Sequence, residues 1–176
     1  IRAARMDGLR TFYGNPVSEY AEQRLDLVGL GKLLGLSPER SINTVAGMRF
    51  GNEFGQHNIY ALRTSVDARL SEMHIDGEEH RGQYLFSKDL TYSKFSSMLA
   101  QGAELHSTRL SSEFTWNDFQ QQNGKDAIPL FAITPEGKVI TSKIGSNFEP
   151  KNGWKVISLF TPALVAANDQ GASRTT

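Results

Sequence analysis

The 176-residue chain contains no cysteine. That excludes disulfides, thiolate zinc sites and thiol catalysis together, and is compatible with a reducing compartment. Neither sign of charge is in excess: 19 Lys and Arg against 19 Asp and Glu give a formal net charge of zero. A surface so balanced advertises neither nucleic acid nor anionic lipid as a partner. No apolar run approaches the roughly 20 residues that span a bilayer. Also missing are the Gly-x-Gly-x-x-Gly turn of dinucleotide sites and the Gly-x-Ser-x-Gly elbow of hydrolases. What remains is an ordinary globular composition, 39% apolar and 22% charged. A chain of this length holds one large domain or two small ones and can bury a core without staples.

Residues 9–37 organise the reading. Residues 9–13 (LRTFY) are an apolar run that stops at Gly14. Asn15 offers a helix cap, with Pro16 at the first helical position, where a missing N–H costs nothing. Residues 17–25 have helical character, and residues 32–36 form a second apolar run ending at Ser37. Strand, helix and strand at this spacing predict a parallel βαβ unit with a right-handed crossover. The loop after its first strand would present backbone N–H groups to an anion or a ribose.

The stretch YGNPVSEYAEQRLDLVGLGKLLGLSPERSINTVAGMRF resembles the second half of the nucleotide-binding regulatory fold of bacterial potassium channels and transporters, the regulator of potassium conductance (RCK) domain. Gly14, Leu25, Val28, Gly29, Leu30 and the run from Leu33 to Ser37 fall on its pattern. The wording is closest to one branch, the cytosolic C-terminal region of bacterial sodium(potassium)/proton antiporters. The resemblance covers Ile1 to about Thr64. It implies a Rossmann-like sheet whose first strands and glycine turn lie upstream, a membrane transporter before those, and a location on the cytoplasmic face of the inner membrane. The opening residues 1–7, which read as the end of a helix closed by Gly8, fit a chain cut from something longer.

Further along, residues 39–54 predict a helix that starts near Ser37-Pro38 and stops at Gly55. Ile42, Val45, Ala46 and Arg49 or Phe50 would share its sheet-facing side. Residues 58–62 (NIYAL) predict a strand. Residues 65–81 are polar and read as a linker between two units. From Gly82 the expectation is an α+β domain. It has a strand at 83–86, a helix capped by Asp89 or Thr91 with Tyr92, Phe95, Met98 and Leu99 as its stripe, and a strand at 104–110. A short helix follows, opened by a Thr115-x-x-Asp118 capping box. Residues 128–134 and 138–143 then form a hairpin about Pro135-Glu136-Gly137, and residues 154–160 the last strand. This unit is similar to the small domain that follows the RCK fold, through Gly137-Lys138-Val139-Ile140 and the run from Pro150 to Ile157. Trp154 stands where that family has Asp. Residues 163–176 are expected to form a flexible tail. The predicted fold class is thus α/β, a partial Rossmann-like parallel sheet over residues 1–64 with a small α+β domain over 82–162.

Candidate ligand-binding residues are Gly14, Asn15, Pro16 and Ser37. In the resembled family this loop and strand end lie beside a bound nucleotide, so an adenine nucleotide (AMP, ATP or NAD) is implied for the intact parent. Gly14 permits close backbone approach and Asn15 offers donor and acceptor. Ligand contact and plain capping compete for the same Asn15 oxygen, and both readings stay open. Asn15 also replaces the family's usual Asp, removing a negative charge. Gly29-Leu30-Gly31-Lys32 lacks the hydroxyl residue of a phosphate loop and reads as a turn. His74 and His80 with Glu78 and Glu79 lack metal-ligand spacing. His57 and His106 read as packing or surface residues.

The function these observations imply is a non-catalytic regulatory region of a monovalent cation/proton antiporter. An open sheet edge at residues 9–13 or 32–36 predicts a homodimer. Two other classes remain in contention. A nucleotide-dependent oxidoreductase fragment would need an upstream glycine turn and a catalytic His or Tyr-Lys pair. A ligand-free interaction module would need neither.

Overall fold

The computed structural model describes residues 2–73 and 83–172. It opens with a short helix, Arg2–Met6 (α1). Gly8 (φ 77°) closes it by donating to the Arg5 carbonyl while Leu9 donates to Ala4. This paired closure is the Schellman motif that the glycine predicts.

Residues 9–13 form no strand and belong to neither sheet, which overturns the first half of the predicted βαβ unit. A short apolar run does not distinguish a buried strand from exposed extended chain. Here Leu9 and Tyr13 face solvent, 62% and 84% exposed. Arg10 is drawn sideways to Asp26 at 2.6 Å, and Thr11 accepts from Arg5 Nε at 2.5 Å.

The next helix is Glu19–Arg24 (α2), and Ser18 caps it, its hydroxyl accepting from the Ala21 N–H at 3.2 Å. Asn15 does something else: its Oδ1 accepts from the Val17 N–H at 3.0 Å. That turns the chain two residues on and leaves Pro16 in a turn ahead of the helix.

The parallel pair arrives one strand later than predicted. Leu33–Gly35 (β1) leads through Arg40–Arg49 (α3) and Gly51–Phe54 (α4) to Ile59–Ala61 (β2). Leu33 pairs with Ile59 and Gly35 with Ala61, in parallel. The buried side of α3 is Asn43, Ala46, Gly47 and, just beyond it, Phe50, while Val45 is 45% exposed. The predicted face is therefore rotated toward its small residues. A Cβ on Gly47 would meet Ile59 at 3.3 Å, so helix and strand approach closely because a glycine stands there. The left-handed Gly55 (φ 74°) ends α4.

Residues 65–72, expected in a polar linker, form a helix, Ser65–Glu72 (α5), with Asp67 buried. Residues 74–82, including His74, Glu78, Glu79 and His80, lie outside the described residues. Gln83–Tyr84 (β3) was expected to open the second unit. It pairs instead with β2, completing a parallel sheet of order β1-β2-β3. The chain just beyond it then pairs the other way. Phe86 N–H donates to Ser142, Ile144 N–H donates to Tyr84, and Leu85 bridges Lys143 in antiparallel sense. Residues 83–86 thus form a seam common to both halves.

As far as Phe160 the chain follows the sequence closely. Tyr92–Ala100 (α6) is capped by Thr91, and Glu104–Arg109 (β4) alternates. Trp116–Asn123 (α7) carries the predicted Thr115–Asp118 capping box. Ala127–Ile133 (β5) and Val139–Thr141 (β6) make the hairpin, and Lys155–Phe160 (β7) lies between β4 and β5. The register slips at Pro129, which cannot donate to the ladder. Residues 162–172, expected as tail, form Pro162–Ala172 (α8). Proline at its first position, an alanine-rich sequence and the Thr161 hydroxyl accepting from Leu164 N–H explain the helix. Leu164 and Val165 pack against Leu110, Phe119 and Phe160.

One core cluster takes Tyr60 and Leu62 from the parallel side and Leu130 and Leu159 from the antiparallel side. Leu85, Phe86 and Leu90 lie between them in sequence and belong to the same cluster. Among the described residues no helix is long and apolar enough to cross a membrane.

Candidate functional site

In open parallel sheets ligands gather at the carboxyl ends of the strands. In this chain those ends carry a buried polar cluster. One residue beyond β2 come Arg63 and Thr64, 8% and 3% exposed, and then Asp67, 6% exposed. Asp67 Oδ2 accepts from the Thr64 N–H at 2.8 Å and the Thr64 hydroxyl at 2.7 Å. Its Oδ1 accepts from Arg40 Nε at 2.8 Å and the Tyr84 hydroxyl at 3.0 Å. One carboxylate therefore joins the start of α3, the start of α5 and the end of β3. Arg63 adds two ties, to the Lys88 carbonyl at 2.8 Å and the Asp67 carbonyl at 3.1 Å. Its guanidinium also lies 5.9 Å from the Tyr84 ring centroid.

The electrostatics follow from these bonds. Burial pushes the Asp67 carboxyl up, but the bonds from the Thr64 backbone and side chain, Tyr84 and Arg40 outweigh it and hold it below its ordinary 3.8. Burial, and then the Asp67 charge, raise the Tyr84 phenol from 10 to about 12. At neutral pH the pair is a carboxylate and a neutral phenol. Both Asp67 oxygens are engaged, so the arrangement clamps these elements together.

Ser37 sits at the open end of β1. Asn43 holds it in both directions, accepting from its N–H through Oδ1 at 3.0 Å and donating Nδ2 to its carbonyl at 3.0 Å. The Ser37 hydroxyl accepts from the Glu39 N–H at 3.1 Å, before α3, whose N-cap Glu39 makes no side-chain cap bond. Gly14 and Asn15 are exposed and Pro16 is half-buried. The bonds of this turn are local, from Val17 and Ser18, so it follows no strand. The geometry that was to make it the lip of a nucleotide cradle is absent.

Arg40, Arg63, Asp67 and Tyr84 escaped sequence reasoning. One signal was available: Thr64-x-x-Asp67 has the same form as the Thr115-x-x-Asp118 box. Among the described residues no group of three or more His, Asp or Glu is placed to hold a metal. Glu104 and His106 lie two rungs apart on β4, with His106 opposite Ser158. Glu104 approaches His106 Nε2 at 3.4 Å, Ser158 is fully buried, and the imidazole stacks on Phe160 at 4.3 Å. A serine that no substrate reaches is not a nucleophile, and His106 packs as expected.

Compared with protein-family models, with curated proteins and with solved structures, the chain has no match in any of the three.

Proposed function

We propose that this chain is the cytosolic regulatory region of a bacterial monovalent cation/proton antiporter and performs no chemistry itself. The parallel β1–α3–β2 unit carries the reading, because it falls within the stretch whose residues resemble the RCK pattern. A small antiparallel unit follows it, as in that family. The finer assignment, a partial Rossmann-like sheet at the cytoplasmic face of the inner membrane, belongs to the same proposal. For the intact parent the resemblance implies an adenine nucleotide such as AMP, ATP or NAD as the ligand. Ser37, at the carboxyl end of β1, is the contact supported by topology; Gly14, Asn15 and Pro16, which follow no strand, are not carried into the proposal. Regulation is by population shift: ligand favours one arrangement of the cytosolic region, and that bias is passed to the transporter.

The working form is a homodimer. β1 is the outermost strand of its sheet, and an open edge invites pairing. Val28, Leu30 and Leu36 near that edge are 80%, 55% and 45% exposed. Val45 and Met48 line a cavity of about 520 Å3 on the outer side of α3.

The test is cation/proton exchange by the whole parent protein in vesicles, with and without AMP, ATP or NAD, against the same protein lacking this region. The proposal expects the deletion to shift the pH or ion dependence of exchange and to abolish the nucleotide response. Identical exchange in all conditions would end it. Sedimentation of the isolated chain tests the dimer separately, and a monomer at every concentration would remove that part.

A further inference from the structure

The regulatory reading leaves two adjoining pockets of the antiparallel half unused, and the smaller is the more enclosed. It has a volume of about 220 Å3 and lies under residues 146–150, against the end of β6. That is below the roughly 300–1,000 Å3 of drug-sized sites, so it suits a ligand of about one residue's size. Phe148, Pro150 and Trp154 supply apolar walls, and Lys143 and Glu149 supply one charge of each sign. On its lining is Thr141, 7% exposed, whose hydroxyl is buried and has no partner.

A buried hydroxyl without a partner is destabilising, and such a group calls for something that completes it. The Lys143 ammonium donates to Gln83 Oε1, leaving further N–H donors on a three-donor group. A free anion in the pocket would meet Glu149, and a free cation would meet Lys143. The complement of this lining carries both charges on a small apolar body. We propose that the pocket binds a free amino acid with an apolar side chain. Its carboxylate pairs with Lys143, its ammonium with Glu149, and Thr141 takes one further hydrogen bond. Lys143 also bridges Leu85 and bonds Gln83 in the seam, so occupancy would bear on β3 and, through Tyr84, on Asp67. The proposal stands apart from the antiporter reading and from its nucleotide.

The experiment titrates the 176-residue chain with L-leucine and L-phenylalanine, by calorimetry and by tryptophan fluorescence, since Trp154 lines the pocket. Isovalerate and isoamylamine serve as single-charge controls. The expected result is saturable binding of at least one amino acid, with each control about tenfold weaker or worse. Glu149→Gln and Thr141→Val each weaken it about tenfold. Glu149 is exposed, so Glu149→Gln should melt like the parent and keeps the test valid if Thr141→Val misfolds. No saturable binding by about 10 mM, well past a millimolar site, overturns the proposal. So do controls that bind equally well, or binding indifferent to Glu149→Gln.

Discussion

Two Thr-x-x-Asp turns open helices in this chain, with nearly the same local geometry. The threonine N–H reaches the aspartate at 2.8 Å in both, and the hydroxyl at 2.7 Å in one and 2.6 Å in the other. At Thr115–Asp118 those bonds hold the carboxyl below 3.8, side chain first and backbone second, and the device ends there as a helix cap. At Thr64–Asp67 the second carboxylate oxygen also holds Arg40 and Tyr84. The same four-residue pattern is a cap in one place and a junction of three elements in the other. What separates them is burial and what the fold brings to the remaining oxygen.

The largest expected effect sharpens that difference. Asp67→Asn takes the charge out of a part-buried ion pair with Arg40 and puts an N–H donor where one of the two carboxylate oxygens accepted. It should lower unfolding free energy in urea by about 3–5 kcal/mol. Asp118→Asn should move the midpoint far less, and equal losses would show that the two boxes are alike after all.

Next in size is Gly35→Ala. A Cβ there would meet Asn43 Oδ1 at 2.9 Å, and Asn43 is buried and pinned to Ser37. The expected loss is about 1–3 kcal/mol. An unchanged midpoint would show that the β1–α3 corner gives way without cost.

A smaller effect is read in pH. Because the Asp67 pKa is lowered on folding, its stabilisation is present above 3.8 and is lost as pH falls through the lower folded value. The acid limb of a stability profile should therefore flatten in Asp67→Asn. Because the Tyr84 pKa is raised, stability should decline as pH climbs from 10 to about 12, and Tyr84→Phe should remove that decline. Profiles that superimpose on the parent's would contradict both assignments.

Sequence legibility divides along the same line. The antiparallel half is built from local signals, and the Thr115 box, the Thr91 cap and the Gly137 turn (φ 83°) stand where the residues put them. The parallel half depends on partners far along the chain. Residues 9–13 look like a strand until solvent exposure of Leu9 and Tyr13 is known. The strand at 83–84 reads as the start of a new unit until β2 is found beside it. Residues 162–172 mislead for another reason: alanine and polar residues suggest fraying unless Leu164 and Val165 are given a surface to cover. In the candidate site Ser37 was legible as a strand end. Asp67 was not, because a polar residue in a polar segment betrays its burial only through Arg40, 27 positions earlier, and Tyr84, 17 later.

Hydrogen exchange on the Asp67→Asn variant probes most directly whether this carboxylate joins the two halves through the shared seam. The account predicts that the Leu62 and Leu85 amides, bonded to Gly35 and Ala61, lose protection together with Phe86 and Ile144 on the antiparallel side. Faster exchange confined to α5, with Phe86 and Ile144 protected as before, would contradict it.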